Sequence, residues 1–198
     1  MHSTKLDLRI WIATMFLVIT SSKGISSVVM ARILGVSQKT AWKMGHAIRE
    51  MMDQYGARSD VLSGTVEVDE AYVGGKPKYQ PGKTKSKSGK GTSRPEMLVA
   101  VMRGGDARAT VIQNSKGATI APIMRGWIAP SSTLMTDGDP TYKSIGSSFA
   151  AHHSVVHKRQ FAIKQTNAHI NTAEAFTNQV KRAMVGVYHQ VDRQHLQA

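Results

Sequence analysis

The sequence predicts an α/β protein in which a helical region is followed by strands that alternate with helices. Three observations support this class. Apolar residues recur at helical spacing up to about residue 56, and from about Gly64 they alternate as in a strand. The chain has 198 residues, of which 41% are hydrophobic, which is enough for one core and a small helical module.

The composition indicates a polyanionic partner. Lys and Arg number 26 against 13 Asp and Glu, which gives a formal net charge of +13. A surplus of this size favours nucleic acid first and an anionic membrane surface second. The absence of cysteine excludes a disulfide frame and a thiolate zinc site. We therefore expect a cytoplasmic, nucleoid-associated protein.

One apolar run, residues 10–19, is about half the length that a membrane span needs. Trp11, Met15 and Val18 fall at helical spacing within it. The run therefore predicts a buried helix, and we expect no membrane association.

The helical region contains a predicted helix-turn-helix. Two helical segments, 25–34 and 38–52, flank a short turn. In that turn Gly35 suits the left-handed position that ends the first helix, and Ser37 suits the N-cap of the second. The first turns of a recognition helix enter the major groove. The residues that we expect to contact DNA here are Ser37, Gln38, Lys39, Thr40 and Lys43. The alternative is a helical hairpin that packs on another element.

The remainder of the chain predicts three strands followed by helices and strands in alternation. The predicted strands are 65–69, 97–102, 109–113, 132–136 and 154–156, and the predicted helices are 119–128, 142–147 and 170–191. We place the boundary between a helical DNA-binding module, 1–58, and a catalytic domain, 59–198.

A basic segment, 74–95, separates the first two predicted strands. It is rich in Gly, Ser, Pro and Lys and has no acidic residue. We expect a mobile loop whose lysines, among them Lys83, Lys85 and Lys87, contact phosphates without reading sequence. A solvated linker is the competing interpretation.

Three acidic positions predict a site for a divalent ion. Asp69 and Asp137 each follow a predicted strand, and strand ends gather sites in α/β folds. Glu174 lies on the last helix, on the side opposite its apolar stripe, with Asn171 and Lys181. Alone, that side is more typical of solvent. Together, three carboxylates suit a hard divalent ion, and two such ions assist in-line displacement at phosphorus.

Other acids and histidines carry weaker patterns. Glu67 and Glu70 flank Asp69 and are expected to tune it, and Asp139 is expected to cap the turn with Pro140. Four histidines lack the spacing of a zinc site, so we interpret them as structural or phosphate contacts. These are His152, His153, His157 and His169.

Three blocks resemble a family of bacterial insertion-sequence DDE transposases, the ISXO-like family. The first block is VEVDEAYVGGK at 66–76, and the second is Thr136-Asp137-Gly138 followed by Tyr142. The third is HINTAEAF at 169–176, followed by Lys181-Arg182, Gly186 and Tyr188-His189. The resemblance, which includes the helix-turn-helix, covers nearly the whole chain.

The resemblance implies a ribonuclease H-like mixed sheet flanked by helices, with a DDE active site. Asp69, Asp137 and Glu174 would then hold two Mg²⁺ or Mn²⁺ ions, with Asn171 as the alternative third ligand and Lys181 beside them. It also implies DNA strand cleavage and transfer at terminal inverted repeats and target DNA. Such a reaction brings two ends together, so we expect a homodimer or a higher assembly.

Two departures from the family raise an alternative function. Relatives carry a cysteine-rich zinc ribbon before the block at residues 2–4, and they continue beyond His195. We therefore expect a chain shortened at both ends. The alternative is a truncated, non-catalytic DNA-binding protein that regulates or inhibits transposition. A ribonuclease H-like nuclease acting on RNA–DNA hybrids or junctions is a third interpretation.

Overall fold

Three helices come first in the fold. The computed structural model describes residues 4–56, 61–74, 94–155 and 167–188. Helix α1 spans Leu8–Thr20, α2 spans Ser27–Leu34 and α3 spans Gln38–Gly56. The three helices pack on one another around a small core of Met30, Ala31 and Ala41, with partly buried apolar residues at its edge.

The turn between α2 and α3 has the predicted caps. Gly35 ends α2 with φ 65°, in the left-handed region. The hydroxyl of Ser37 accepts a hydrogen bond from the backbone N–H of Thr40 at 3.1 Å, which caps the start of α3. The two helices predicted for this segment and the caps of the turn between them are therefore present.

Helix α1 is only partly buried. The predicted inner residues Trp11, Met15 and Val18 are half-buried, and Thr14 is the fully buried position. The opposite side carries exposed apolar residues, Leu8, Ile12, Phe16 and Ile19. Within the described part of the chain, no helix is both long and apolar enough to cross a membrane.

A five-stranded mixed sheet follows. Its strands are β1 (Thr65–Tyr72), β2 (Glu96–Met102), β3 (Ala107–Ile112), β4 (Thr133–Asp137) and β5 (Ala151–Val155). They lie in the order β3-β2-β1-β4-β5. The β3–β2 and β2–β1 pairs are antiparallel, and the β1–β4 and β4–β5 pairs are parallel. This is the topology of the ribonuclease H-like fold, so the predicted fold class is confirmed.

Helices cover both faces of the sheet. Helix α4 (Gly117–Trp127) and α5 (Pro140–Gly146) pack on one face, against Val66 and Val68. Helix α6 (Asn171–Ala183), which continues as a π-helical turn over Met184–Tyr188, packs on the other. Since side chains of a strand alternate between faces, every second residue of β1 points toward α6.

The structure corrects the predicted end of the first strand. Residue 69 does not end β1, which continues to Tyr72 because its antiparallel pairing with β2 extends to Tyr72↔Glu96. The parallel neighbour β4 stops at Asp137. Asp69 thus lies inside a strand, but at the level where the strand beside it ends.

The last helix is also reorganised. The predicted helix 170–191 is regular over Asn171–Ala183 and then becomes π-helical, and residues 189–198 lie outside the described residues. Helix α6 and its π-helical turn contact the α1–α2 connection. Gln179 donates a hydrogen bond to the carbonyl of Ser22. Gly24, at φ +80°, lies against the hydroxyl of Tyr188.

The end of α5 supplies a test of the packing. A Cβ at Gly146 would lie 2.2 Å from Nδ1 of His152, whose ring is hydrogen-bonded to Thr136. We expect Gly146→Ala to lower the free energy of unfolding by about 1–3 kcal/mol because of this overlap. Gly126→Ala, with nothing within 4 Å, is the control and should be neutral or slightly stabilising. Urea denaturation measures both, and equal stability of the two variants would contradict the packing.

Candidate active site

Asp69 and Asp137 are neighbours on parallel strands. The printed β1–β4 register pairs Glu67 with Met135. Two residues further along each strand, the same register places Asp69 beside Asp137. By alternation both side chains lie on the face of the sheet that α6 covers.

Local hydrogen bonds orient Asp137 at the end of β4. Its Oδ1 accepts from the backbone N–H of Asp139 at 3.0 Å, in an Asx turn. Asp139 in turn caps α5, accepting from the N–H of Thr141 at 2.9 Å, with Pro140 in the first turn. The expected capping role of Asp139 is confirmed, and the Asp137 carboxylate is held at the rim of the sheet.

Glu174 enters from the first turn of α6. It is half-buried and lies between two buried positions on that helix, Ala173 and Thr177. The side of α6 that carries Glu174 is therefore partly covered by the rest of the protein and does not face only solvent. Asn171 and Lys181 are exposed, although the charge of Lys181 acts on Asp69.

The pKa of Asp69 reports how these charges are arranged. Burial and then the negative charge of Asp137 raise it from 3.8 to about 6, and Glu174 adds to the rise. A backbone hydrogen bond and the positive charge of Lys181 act in the opposite direction. All three predicted carboxylates are thus electrostatically coupled through Asp69.

The donor chemistry of these residues suits a divalent cation. Three carboxylates provide hard oxygen ligands, and their mutual repulsion is the unfavourable term that a cation would relieve. Among residues 4–56, 61–74, 94–155 and 167–188, no three His, Asp or Glu side chains lie so that together they could hold a metal ion. An ion bound at Asp69 and Asp137 would therefore need ligands beyond those already in place. Open coordination positions are what substrate phosphates and water fill in a phosphoryl-transfer site.

Glu67 has a different role from the one expected. Its side chain is fully buried, and both of its oxygens accept hydrogen bonds. They come from Arg103 Nε at 2.6 Å, Thr172 N at 2.7 Å, Ala173 N at 3.0 Å and Thr172 Oγ1 at 3.1 Å. Glu67 thus joins β1 to the start of α6. The sequence signal for a buried Glu67 was its position between Val66 and Val68, which are both buried.

Glu70 lies on the opposite face of β1, where it is close to Tyr142. Tyr142 is fully buried on α5. Burial and then the charge of Glu70 raise the pKa of its hydroxyl above the usual range, so this group stays protonated. Tyr142 packs in the α4–α5 core, on the face of the sheet opposite the carboxylates.

The histidines that the structure describes fit a structural interpretation. Nε2 of His152 lies 2.8 Å from the hydroxyl of Thr136, and burial and then His153 lower the pKa of His152. His169 precedes α6, and its Nδ1 lies 3.1 Å from Oε1 of Glu67. His157 lies outside the described residues.

The expected DNA-contacting residues of α3 divide into two groups. Ser37 and Thr40 bond to each other in the cap, and Gln38 donates to the hydroxyl of Ser27 at 2.8 Å. Lys39 and Lys43 are exposed. Lys83, Lys85 and Lys87 lie outside the described residues.

One aromatic residue on α3 was missed by the sequence analysis. Trp42 is 51% exposed, and its ring centroid lies 4.2 Å from that of His46. It shares the exposed side of α3 with Lys39 and Lys43. A large apolar side chain exposed among cations was the signal that could have found it.

Burial and the nearby charge of Asp137 make the ionised form of Asp69 unfavourable. Removing this charge is therefore expected to raise the free energy of unfolding. Because the folded pKa lies above the ordinary one, the folded state binds more protons between pH 3.8 and about 6. The free energy of unfolding therefore falls as the pH rises through that window, by at most about 3 kcal/mol in total. In EDTA at pH 7.5, we expect Asp69→Asn to raise Tm by several degrees, measured by differential scanning fluorimetry.

The pH dependence separates this effect from a general one. At pH 4.5 the gain from Asp69→Asn should shrink to roughly one third, because much of the wild-type carboxyl is then protonated in the folded state. The exposed Asp53→Asn is the control and should leave Tm unchanged at both pH values. An unchanged or lower Tm for Asp69→Asn at pH 7.5 would contradict the coupling.

Three comparisons bear on the identity of the chain. The profile of the ISXO2-like transposase domain matches residues 61–198. A search of curated protein sequences found no match.

Solved structures of Mos1 complexes are similar over most of their length. The Mos1 strand transfer complex aligns at 11% identity and a TM-score of 0.33, covering 99% of this chain and 75% of that chain. The Mos1 transposase paired-end complex with the left transposon end aligns at 9% and 0.32, covering 95% and 77%. The family profile matches well over half of the residues of this chain, and the chain therefore belongs to the ISXO2-like transposase domain family.

Proposed function

We propose that this chain catalyses metal-dependent cleavage and strand transfer of DNA at the ends of an insertion sequence. The observation that carries the proposal is that the parallel β1–β4 register places Asp69 beside Asp137, with the charge of Glu174 acting on Asp69, in a chain that belongs to a transposase family. These acids come from two strands and a helix that are distant in sequence. Negative charges brought together in this way are ones that a bound cation would stabilise.

Asp69, Asp137 and Glu174 would hold Mg²⁺ or Mn²⁺, and two ions suit the reaction. Bound ions supply Lewis-acid chemistry, which makes water or a DNA 3′-hydroxyl a better nucleophile and stabilises the leaving oxygen. The carboxylates act in their ionised form, which Asp69 adopts above about pH 6. Lys181, whose charge reaches Asp69, would bind the phosphate that approaches the three acids.

We propose Glu174 rather than Asn171 as the third ligand. Glu174 is half-buried and its charge acts on Asp69, whereas Asn171 is exposed at the first residue of α6. A carboxylate also offsets the charge of a divalent ion, which a neutral amide does not.

Double-stranded DNA is the proposed partner, comprising terminal inverted repeats and a target. In this proposal residues 1–58 form the DNA-binding module and residues 59–198 the catalytic domain. Exposed Lys39 and Lys43 on α3, together with Trp42, support contact with a DNA groove. The lysines of the segment 74–95 would add phosphate contacts. Joining two ends requires a homodimer or a higher assembly.

A nicking assay tests the chemistry. The substrate is a supercoiled plasmid that carries the DNA flanking the gene, with Mg²⁺ or Mn²⁺. We expect Asp69→Asn and Asp137→Asn to lower nicking by at least about 100-fold, and Glu174→Gln by about as much, since each removes a carboxylate needed for catalysis. Asn171→Ala should retain activity within a few-fold.

Asp106→Asn is the control for this assay, because Asp106 lies in the β2–β3 turn at the opposite end of the sheet. It should nick the plasmid as the wild type does. Salt-sensitive DNA binding without nicking by the wild type would overturn the catalytic proposal and favour the non-catalytic DNA-binding protein. Preference for RNA–DNA hybrids over duplex DNA would favour the general nuclease.

DNA binding by α3 has a separate test. If Lys39 and Lys43 each neutralise a phosphate, then Lys39→Ala and Lys43→Ala should each reduce the slope of log K against log salt by about 1. Fluorescence anisotropy over a salt series measures the slope. Exposed Lys116→Ala, next to α4 in the sheet domain, is the comparison. Slopes unchanged by the α3 variants would contradict this part of the proposal.

A further inference from the structure

We propose that Glu67 is a positioning residue, which with Arg103 fixes the first turn of α6 and so places Glu174 opposite Asp69 and Asp137. The inference rests on the proposed function, because it assigns a purpose to the site that those three acids form. Glu67 itself is not proposed to touch metal or DNA, since its carboxylate is already engaged by protein donors.

Glu67 caps the start of α6. The backbone N–H groups in the first turn of a helix have no partners within the helix. Ile170, at the N-cap of α6, provides no side-chain hydrogen bond. Oε2 of Glu67 accepts from the N–H groups of Thr172 and Ala173 at 2.7 and 3.0 Å instead. A carboxylate at this end of a helix is also favoured by the helix dipole.

Arg103 extends the same contact to the chain that leads into α6. Its Nε donates to Oε1 of Glu67 at 2.6 Å, and its terminal nitrogens donate to the carbonyls of Asn167 and His169 at 3.0 and 2.9 Å. Asn167 has a positive φ of 50°, so the chain turns sharply where Arg103 holds it. The backbone N–H of Arg103 also donates to the carbonyl of Thr65 at the start of β1.

The positions of these contacts along the chain connect them to the proposed site. Glu67 lies two residues before Asp69 on the same face of β1. Thr172 and Ala173 immediately precede Glu174 in the helix. One buried carboxylate therefore fixes the strand that carries the first acid against the helical turn that carries the third.

The composition of this contact favours positioning over simple stability. A buried ion pair is often replaceable by apolar residues of similar volume without loss of stability. Glu67 is fully buried, and the same face also carries buried apolar residues, among them Met135, Ala71 and Ala173. A directional network of this kind constrains distance and orientation, which apolar packing does less specifically.

The chemistry of the side chain predicts that an amide cannot replace the carboxylate. Both oxygens of Glu67 accept hydrogen bonds, one mainly from Arg103 and the other from the helix. In Glu67→Gln one acceptor becomes an NH₂ donor, which faces either Arg103 or the helix N–H groups. In either case the first turn of α6 loses part of its anchor.

The test measures Mn²⁺ binding by electron paramagnetic resonance, in the full chain without DNA, together with plasmid nicking and circular dichroism. We expect Glu67→Gln to keep its secondary structure, to weaken Mn²⁺ binding by about 10-fold or more, and to lower nicking accordingly. Thr172→Val removes only the hydroxyl contact at 3.1 Å. It is nearly isosteric and should weaken Mn²⁺ binding by a few-fold. Thr172→Val can therefore be measured in place of Glu67→Gln if that variant does not fold.

The matched control is Glu96→Gln. Glu96 is also a buried glutamate on the sheet, but it lies on β2, on the face away from α6. This variant should bind Mn²⁺ as the wild type does, even if its Tm is lower. If Glu96→Gln weakens Mn²⁺ binding as much as Glu67→Gln, the effect is general destabilisation and the positioning role is wrong.

A double-mutant cycle tests whether Glu67 and Arg103 act as one unit. Arg103→Met alone should weaken Mn²⁺ binding, because Glu67 then loses its partner. Adding Arg103→Met to Glu67→Gln should weaken it by less than about 2-fold more, whereas independent effects would multiply. Multiplying effects would overturn the joint role of the two residues.

The outcomes distinguish this inference from the function on which it rests. If Asp69→Asn abolishes Mn²⁺ binding but folded Glu67→Gln and Thr172→Val bind and nick as the wild type does, only the positioning role fails. If Asp69→Asn itself leaves both Mn²⁺ binding and nicking unchanged, the proposed site fails.

Discussion

The buried carboxylate of Glu67 is the interaction on which the arrangement of the site depends. It joins β1 to the start of α6 and, through Arg103, to the turn before α6. Apolar packing of Phe176 and Val180 holds α6 on the sheet, but such packing tolerates sliding and rotation. Two backbone N–H groups directed at one oxygen do not, because hydrogen bonds weaken steeply with distance and angle.

The carboxylates themselves work against the stability of the metal-free fold. A chain with a net charge of +13 nevertheless gathers like charges around Asp69, where burial and Asp137 raise its pKa to about 6. Repulsion of this kind persists only where surrounding structure holds the groups in place. Glu67 on one face and Tyr142 on the other provide that structure, because both are fully buried beside the acidic positions.

Helix α6 connects the site to the helical module as well as to the sheet. Its first turn carries Glu174, and further along Gln179 bonds the carbonyl of Ser22 between α1 and α2. Tyr188 of the π-helical turn lies against Gly24, where a larger residue would meet its hydroxyl. A single helix thus contacts both the sheet that carries two acids and the connection that leads into the helix-turn-helix, so the two parts share a rigid element.

The sequence by itself determined the order of the elements and the caps of the turn at Gly35 and Ser37. These follow from local chemistry: side-chain periodicity, left-handed glycine and N-cap hydroxyls act within a few residues. Asp69 and Asp137 were predicted as site residues from the ends of strands, and Glu174 only with the help of the family resemblance. Only the tertiary structure decided that β1 continues past Asp69, that Glu174 is half-buried whereas Asn171 is exposed, and that Glu67 caps α6. Each of these depends on a partner at least 24 residues away, such as Glu96 for Tyr72 or Thr172 for Glu67. Pairing across such distances is selected by the fit of the whole core, and no local pattern encodes it.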